Sequence, residues 1–143
     1  MKIFTIGYEK RGIGEFIRIL RDNNINMLVD IRAVPHSRNK NYAKKNLEKS
    51  LRENGIEYLL IRELGSPEDI RNRVKADGDY NYFFKEYDRF LEDKKDHLAE
   101  LANIAQSKNI CLLCYEMNID RCHRRTVALR LAETGDGLDI IHL

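Results

Sequence analysis

The sequence has no tryptophan, only two prolines and only three cysteines in 143 residues. No apolar run approaches the roughly 20 residues a membrane span needs. The opening Met1-Lys-Ile-Phe-Thr-Ile-Gly7 is too short in apolar content for an export signal. These absences argue against membrane association and point to the cytoplasm. In that reducing compartment three thiols are core, catalytic or metal-binding groups rather than a disulfide framework. Charge of one sign is also lacking: 25 Lys and Arg against 23 Asp and Glu give +2. No global basicity demands nucleic acid, so any electrostatic steering has to come from local clusters. Repeats, low-complexity tracts and linkers are missing as well. With 43% hydrophobic and 34% charged residues, residues 1–143 read as one globular domain.

What is present alternates between strand and helix. Short apolar runs at Lys2–Ile6, Asn26–Ile31, Ile56–Ile61, Asn109–Cys114 and Leu138–His142 predict five strands. Helical spacing predicts helices over Glu15–Asp22, with Gly12 and Gly14 in the turn before it, and over Ala43–Asn54. A third follows Ser66-Pro67-Glu68-Asp69, where Ser66 caps and Pro67 takes the first position; it ends by Gly78. Asp79–Leu91 and Asp96–Gln106 read as two amphipathic helices or one bent helix. Arg121–Glu133 reads as a last helix capped by Asp120 and stopped by Gly135. Alternation of this kind predicts an α/β three-layer sandwich, a mainly parallel sheet of about five strands with helices on both faces.

In such a sheet ligands bind beyond the carboxyl ends of the strands. Tyr8 follows the first run. Asp30 and Arg32 close the second, followed by Ser37 and Arg38. Cys114 and Glu116 close the fourth, then Arg121, Cys122, His123 and Arg124, and His142 closes the fifth. An antiparallel last strand would remove His142 from this edge. Arg121, Arg124 and Arg125 near a helix start oppose its dipole, at about 0.3–1 kcal/mol each when exposed. A bound anion, held by free N–H groups and guanidinium forks, relieves that conflict; pairing of Arg121 or Arg124 with Glu116 or Asp30 is the plainer alternative.

The cysteines separate on geometry. Cys111-Leu-Leu-Cys114 has Cys-x-x-Cys spacing but lies in a strand, where residues three apart face opposite ways about 10 Å apart. That is too far for a disulfide, and Cys111 reads as core. Cys114 ends the strand, and Cys122 lies near a helix N-terminus where the dipole and arginines lower a thiol pKa. Either could be a nucleophile. Cys114, Cys122, His123 and His142 offer zinc donors, but their spacing fits no standard zinc pattern, so no metal or other cofactor is assigned.

The chain resembles a bacterial and archaeal family, domain of unknown function 488. The resemblance is carried by Thr5-Ile-Gly-Tyr8, Leu28-Val-Asp-Ile-Arg32 with Pro35-His-Ser-Arg38, Gly55-Ile-Glu-Tyr58, Leu64-Gly65, Leu113-Cys-Tyr-Glu116, Arg121-Cys-His-Arg124 and Ile141-His-Leu143. Tyr42 stands where the family often has Phe. The resemblance implies an α/β domain with a shared site and supplies no reaction. A looser architectural likeness to rhodanese and cysteine-phosphatase domains stops at the Cys114–Arg121 loop, which lacks their glycines.

Three functions follow as expectations. The first is an anion-binding protein or Cys-dependent hydrolase or transferase taking a small phosphate- or carboxylate-bearing ligand. In it Cys114 or Cys122 attacks, Glu116, Asp30 or His123 moves protons, and Tyr8, Arg32, Ser37, Arg38, Arg121, Arg124 and His142 hold the ligand. The second is a nucleic-acid-binding module using the basic 32–45 loop with Tyr8, His36 and Tyr42 as stacking rings. The third is a metal-binding or redox-sensing protein. Nothing in the sequence fixes the oligomeric state.

Overall fold

A computed structural model describes residues 1–134 and 138–143. Its strands are β1 (Lys2–Gly7), β2 (Met27–Asp30), β3 (Glu57–Leu60), β4 (Ile110–Cys114) and β5 (Asp139–His142). The helices are α1 (Ile13–Asp22), α2 (Lys44–Glu53), α3 (Glu68–Asp77), α4 (Tyr80–Phe90), α5 (Lys95–Ala105) and α6 (Arg124–Thr134). The sheet runs β3-β2-β4-β1-β5 and every pairing is parallel, β5 included. Central β4 is buried along its whole length, which is why Ile110 to Cys114 is an unbroken apolar run.

Alternation along the strands divides the core. Phe4, Ile6, Leu28, Cys111 and Leu113 meet Phe16 and Leu20 of α1 and Leu47 and Leu51 of α2. On the other face Ile3, Val29, Ile110 and Leu112 meet α3, α4, α5 and α6. The chain thus moves from β1 through β2 to β3 with helices on one face, then returns through β4 to β5 with helices on the other, as right-handed crossovers require. Connections leaving β4 diverge from those leaving its neighbours β2 and β1. That divergence opens a crevice at the carboxyl edge, the switch point where ligands of parallel sheets bind.

Several boundaries differ from the expectation. Gly14 lies inside α1. Pro67, not Ser66, takes the cap position of α3, and no side chain caps it. Leu91–Lys94 form a 3-10 turn joining α4 to α5, so the bent-helix reading fits best. The largest change is at the last helix: Ile119–Arg121 form a separate 3-10 turn capped by Asn118, and α6 begins only at Arg124. Asp120 is therefore not its cap; it lies 3.6 Å from Arg125 as an exposed ion pair. Amides of Thr126 and Val127 bond instead to the His123 carbonyl. The expected stop at Gly135 lies outside the described residues. No helix among the described residues is long and apolar enough to cross a membrane.

Candidate functional site

Two backbone contacts bring the strand-end loops together. Past their last rungs, β1 and β4 keep pairing: the Tyr8 N–H donates to the Cys114 carbonyl (3.2 Å) and the Glu9 N–H to that of Tyr115 (2.9 Å). A Cβ at Gly7 would lie 2.0 Å from the Glu116 oxygen, so only glycine allows this approach. Likewise a Cβ at Gly65 would lie 2.3 Å from the Ala33 backbone, which seats the loop after β2 against the turn before α3.

Two buried arginines hold these loops, one on each side of the sheet. Arg32 shares the Leu28–Asp30 face. Its Nε and NH2 grip both oxygens of Asp30 at 2.9 and 2.7 Å, and NH1 donates to the Tyr42 carbonyl at 2.8 Å. Tyr58 adds a hydroxyl to Asp30 at 2.6 Å. Asp30 is fully buried with both oxygens taken and lies off the cavity, so the proton-moving role expected of it is not supported. Arg124 is on the opposite face, 1% exposed. It donates to Thr5 Oγ1 (3.2 Å), to the Glu116 carbonyl and to the Met117 carbonyl (3.2 Å). The expectation that Arg124 joins Arg32 and Arg38 in holding the ligand finds no support in this placement. Arg124 has no access to the cavity, and Arg32 reaches it as an already satisfied wall.

Between them lies a cavity of about 900 Å3. Of the expected residues, Tyr8, Arg32, Ser37, Arg38, Cys114, Glu116, Arg121 and His123 line it. Asp30, Cys122, Arg124 and His142 do not. His142 is on the correct edge, because β5 is parallel, but β5 is outermost. Its Nδ1 takes the Thr5 hydroxyl at 2.6 Å, since Thr5 Oγ1 already accepts from Arg124. The sequence reading missed Lys10, Arg71, Lys75 and Tyr115. Arg71 and Lys75 are one helical turn apart on α3, a spacing visible in the sequence; what was not visible is that α3 packs beside this edge. Carboxylates on the lining are Glu9 and Glu116, and Arg38, Arg71, Lys75 and Lys10 make no ion pair among the described residues. The cavity is therefore strongly positive although the chain is nearly neutral.

The reactive groups sit in its wall. Cys114 Sγ is 3.2 Å from Glu116 Oε2 and 3.4 Å from His123 Nδ1. His123 Nε2 is 2.8 Å from the Ile31 carbonyl. A carbonyl only accepts, so Nε2 carries the proton and Nδ1 of the neutral ring faces the thiol as an acceptor. Tyr87 meets the ring edge-on at 5.3 Å and is itself fixed by donating to the Leu64 carbonyl.

Burial reverses the expectation for thiol acidity. It pushes Cys122 well above the usual thiol value, outweighing the helix terminus, and pushes Cys114 up too, with Glu116 adding to the shift. Cys111 is core, as expected, also raised by burial. For His123 burial works against the charged ring, but the Cys122 sulfur, the Ile31 carbonyl and Glu116 outweigh it and raise its proton affinity.

Two of the three rings suggested as a nucleic-acid stacking platform, Tyr8 and Tyr42, pack on each other, while His36 is exposed on the cavity. Tyr42 is fully buried, and its ring stacks on Tyr8 at 4.4 Å and 19°. Tyr115, which also lines the cavity, is exposed as well.

Fold and site together define a parallel α/β domain with a basic cavity at its topological switch point and a thiol–imidazole pair in the wall. The chain belongs to the family described as domain of unknown function DUF488, whose model matches residues 12–131. No curated protein and no solved structure matches the chain.

Proposed function

We propose that this protein binds a small phosphate- or carboxylate-bearing ligand in the cavity and acts on it through Cys114, as a hydrolase or transferase. One observation carries the reading: the Cys114 sulfur lies 3.4 Å from a His123 nitrogen whose tautomer the Ile31 carbonyl sets, in the wall of a cavity ringed by cations. Nucleophile, base and orienting acceptor stand in the relation that nucleophilic catalysis requires. Cys122 is not the nucleophile in this reading, because it is buried away from the cavity.

Arg38, Arg71, Arg121 and the cavity lysines would draw in and orient the anion. As the Cys114 sulfur attacks an acyl carbon or phosphorus, its proton passes to His123 Nδ1, and Nε2–H stays on Ile31. Glu116 stabilises the imidazolium. The proton then leaves with the departing group as the sulfur bond forms and the old bond breaks. Water, deprotonated by the same nitrogen, releases the product and restores the thiol.

The test is a panel of phosphate- and carboxylate-bearing activated esters, with initial product burst and intact protein mass recorded together. A burst with an adduct on Cys114 is expected. Cys114→Ala should abolish both, and His123→Gln should slow adduct formation by about 10²–10⁴-fold. Turnover by Cys114→Ala at the native rate would overturn the proposal.

A further inference from the structure

Cys122 has no task in that reaction, yet it is only 1% exposed and its sulfur is turned toward the reactive pair. Cys114 Sγ, Cys122 Sγ and a ring nitrogen of His123 all lie within 4.8 Å of one another. Two sulfurs and an imidazole are preferred donors for zinc. Bonds of about 2.3 Å to sulfur and 2.0 Å to nitrogen place tetrahedral donors about 3.5–3.8 Å apart. The Cys114–His123 edge, at 3.4 Å, already has that length. The other edges, each no longer than 4.8 Å, need to contract by about 1–1.3 Å at most.

A further feature fits an ion rather than simple packing. A ligating imidazole ordinarily donates its other N–H to a carbonyl or carboxylate, which fixes the ring and keeps the ligating nitrogen bare. His123 does this through Ile31. A carboxylate oxygen of Glu116 lies 3.2 Å from Cys114 Sγ, beside the three donors and outside their cluster. The linear spacing looked unlike a zinc pattern because the donors come from a strand end and a helix cap, which meet only when α6 packs on the sheet.

We infer that Cys114, Cys122 and His123, with Glu116 beside them, form a site for a thiophilic divalent cation such as Zn2+, reached through the cavity. Both cysteines bind as thiolates, their two protons pass to solvent, and no electrons move. The site stands without the covalent reading. A consequence that does rest on that reading is regulatory: a Cys114 sulfur held by zinc is not free to attack.

The experiment uses the untagged full-length protein, stripped with a chelator under reducing conditions. Titrating Co2+ should give tetrahedral d–d absorption and a thiolate charge-transfer band saturating at one ion per chain, both bleached by Zn2+. Cys122→Ser should weaken binding by more than the about 10–100-fold that losing an outer-shell partner costs, and Cys111→Ser should leave it unchanged. Saturating Zn2+ should also protect Cys114 of the unmodified protein from iodoacetamide, a measurement that needs no variant to fold. Absence of charge transfer, or alkylation of Cys114 at an equal rate with and without zinc, overturns the site. If zinc binds and protects while no ester labels Cys114, the metal site holds and the covalent proposal alone fails.

Discussion

Arg124 and Arg38 separate two uses of one residue type. Arg124 is buried on Thr5 and two loop carbonyls, whereas Arg38 is exposed on the cavity rim. Arg124→Met should destabilise the fold by about 2–3 kcal/mol, because it leaves the buried Thr5 hydroxyl and two partly buried loop carbonyls without their donor. Arg38→Ala should stay within about 0.5 kcal/mol, which urea unfolding will distinguish. Equal losses for the two variants would contradict these assignments. The sequence places both among the ligand-holding arginines, with pairing to Glu116 or Asp30 as the plainer alternative for Arg124, since a list of arginines near a sheet edge does not say which carbonyls need donors. Gly7 makes the same point in reverse. Its contact with Glu116 is invisible in a linear reading, and Gly7→Ala should displace the Cys114–Glu116 segment and cut Cys114 labelling even if the fold survives.

At the level of elements, the five strands and the both-faces layering were legible because apolar runs with helical spacing between them leave few other arrangements. The last helix was misjudged at its start because Asp120 resembles a cap by type. The actual turn at Ile119–Arg121 bonds within itself, and His123 supplies the first carbonyl of α6. The β5 edge adds a pH-dependent element. Burial, with Arg124 and Arg125 nearby and only Asp120 opposing, holds His142 below the ordinary imidazole value. The neutral ring accepts the Thr5 hydroxyl. As pH falls below about 6.5 the unfolded chain takes up this proton before the native one, so stability is lost on the acid side. His142→Gln should lose stability relative to the native sequence at pH 7.5 and less of it at pH 5.5, measured by urea midpoint. A difference that grows in acid would reverse the assignment.

Over the whole molecule, a net charge of +2 conceals a concentration of cations at one edge. Anion affinity should therefore fall as salt rises, with the Debye length shrinking to about 10 Å at 0.1 M. The double variant Arg38→Ala/Arg71→Ala should bind inorganic phosphate more weakly by about tenfold and with a flatter salt dependence; titration calorimetry at two ionic strengths would show it. Net charge could not reveal this, since it averages over surfaces that only the fold separates.

The position of β1 sets a schedule for biosynthesis. Its two sheet partners, β4 and β5, are made more than a hundred residues after it, about 5–20 s later at ordinary ribosomal speed. Until then Ile3, Phe4 and Ile6 have no strand beside them, and Tyr8 has no Cys114 to face. A nascent chain of this protein can form β2 and β3 early, but neither the cavity nor the cluster of donors exists before the last quarter of the chain has left the ribosome.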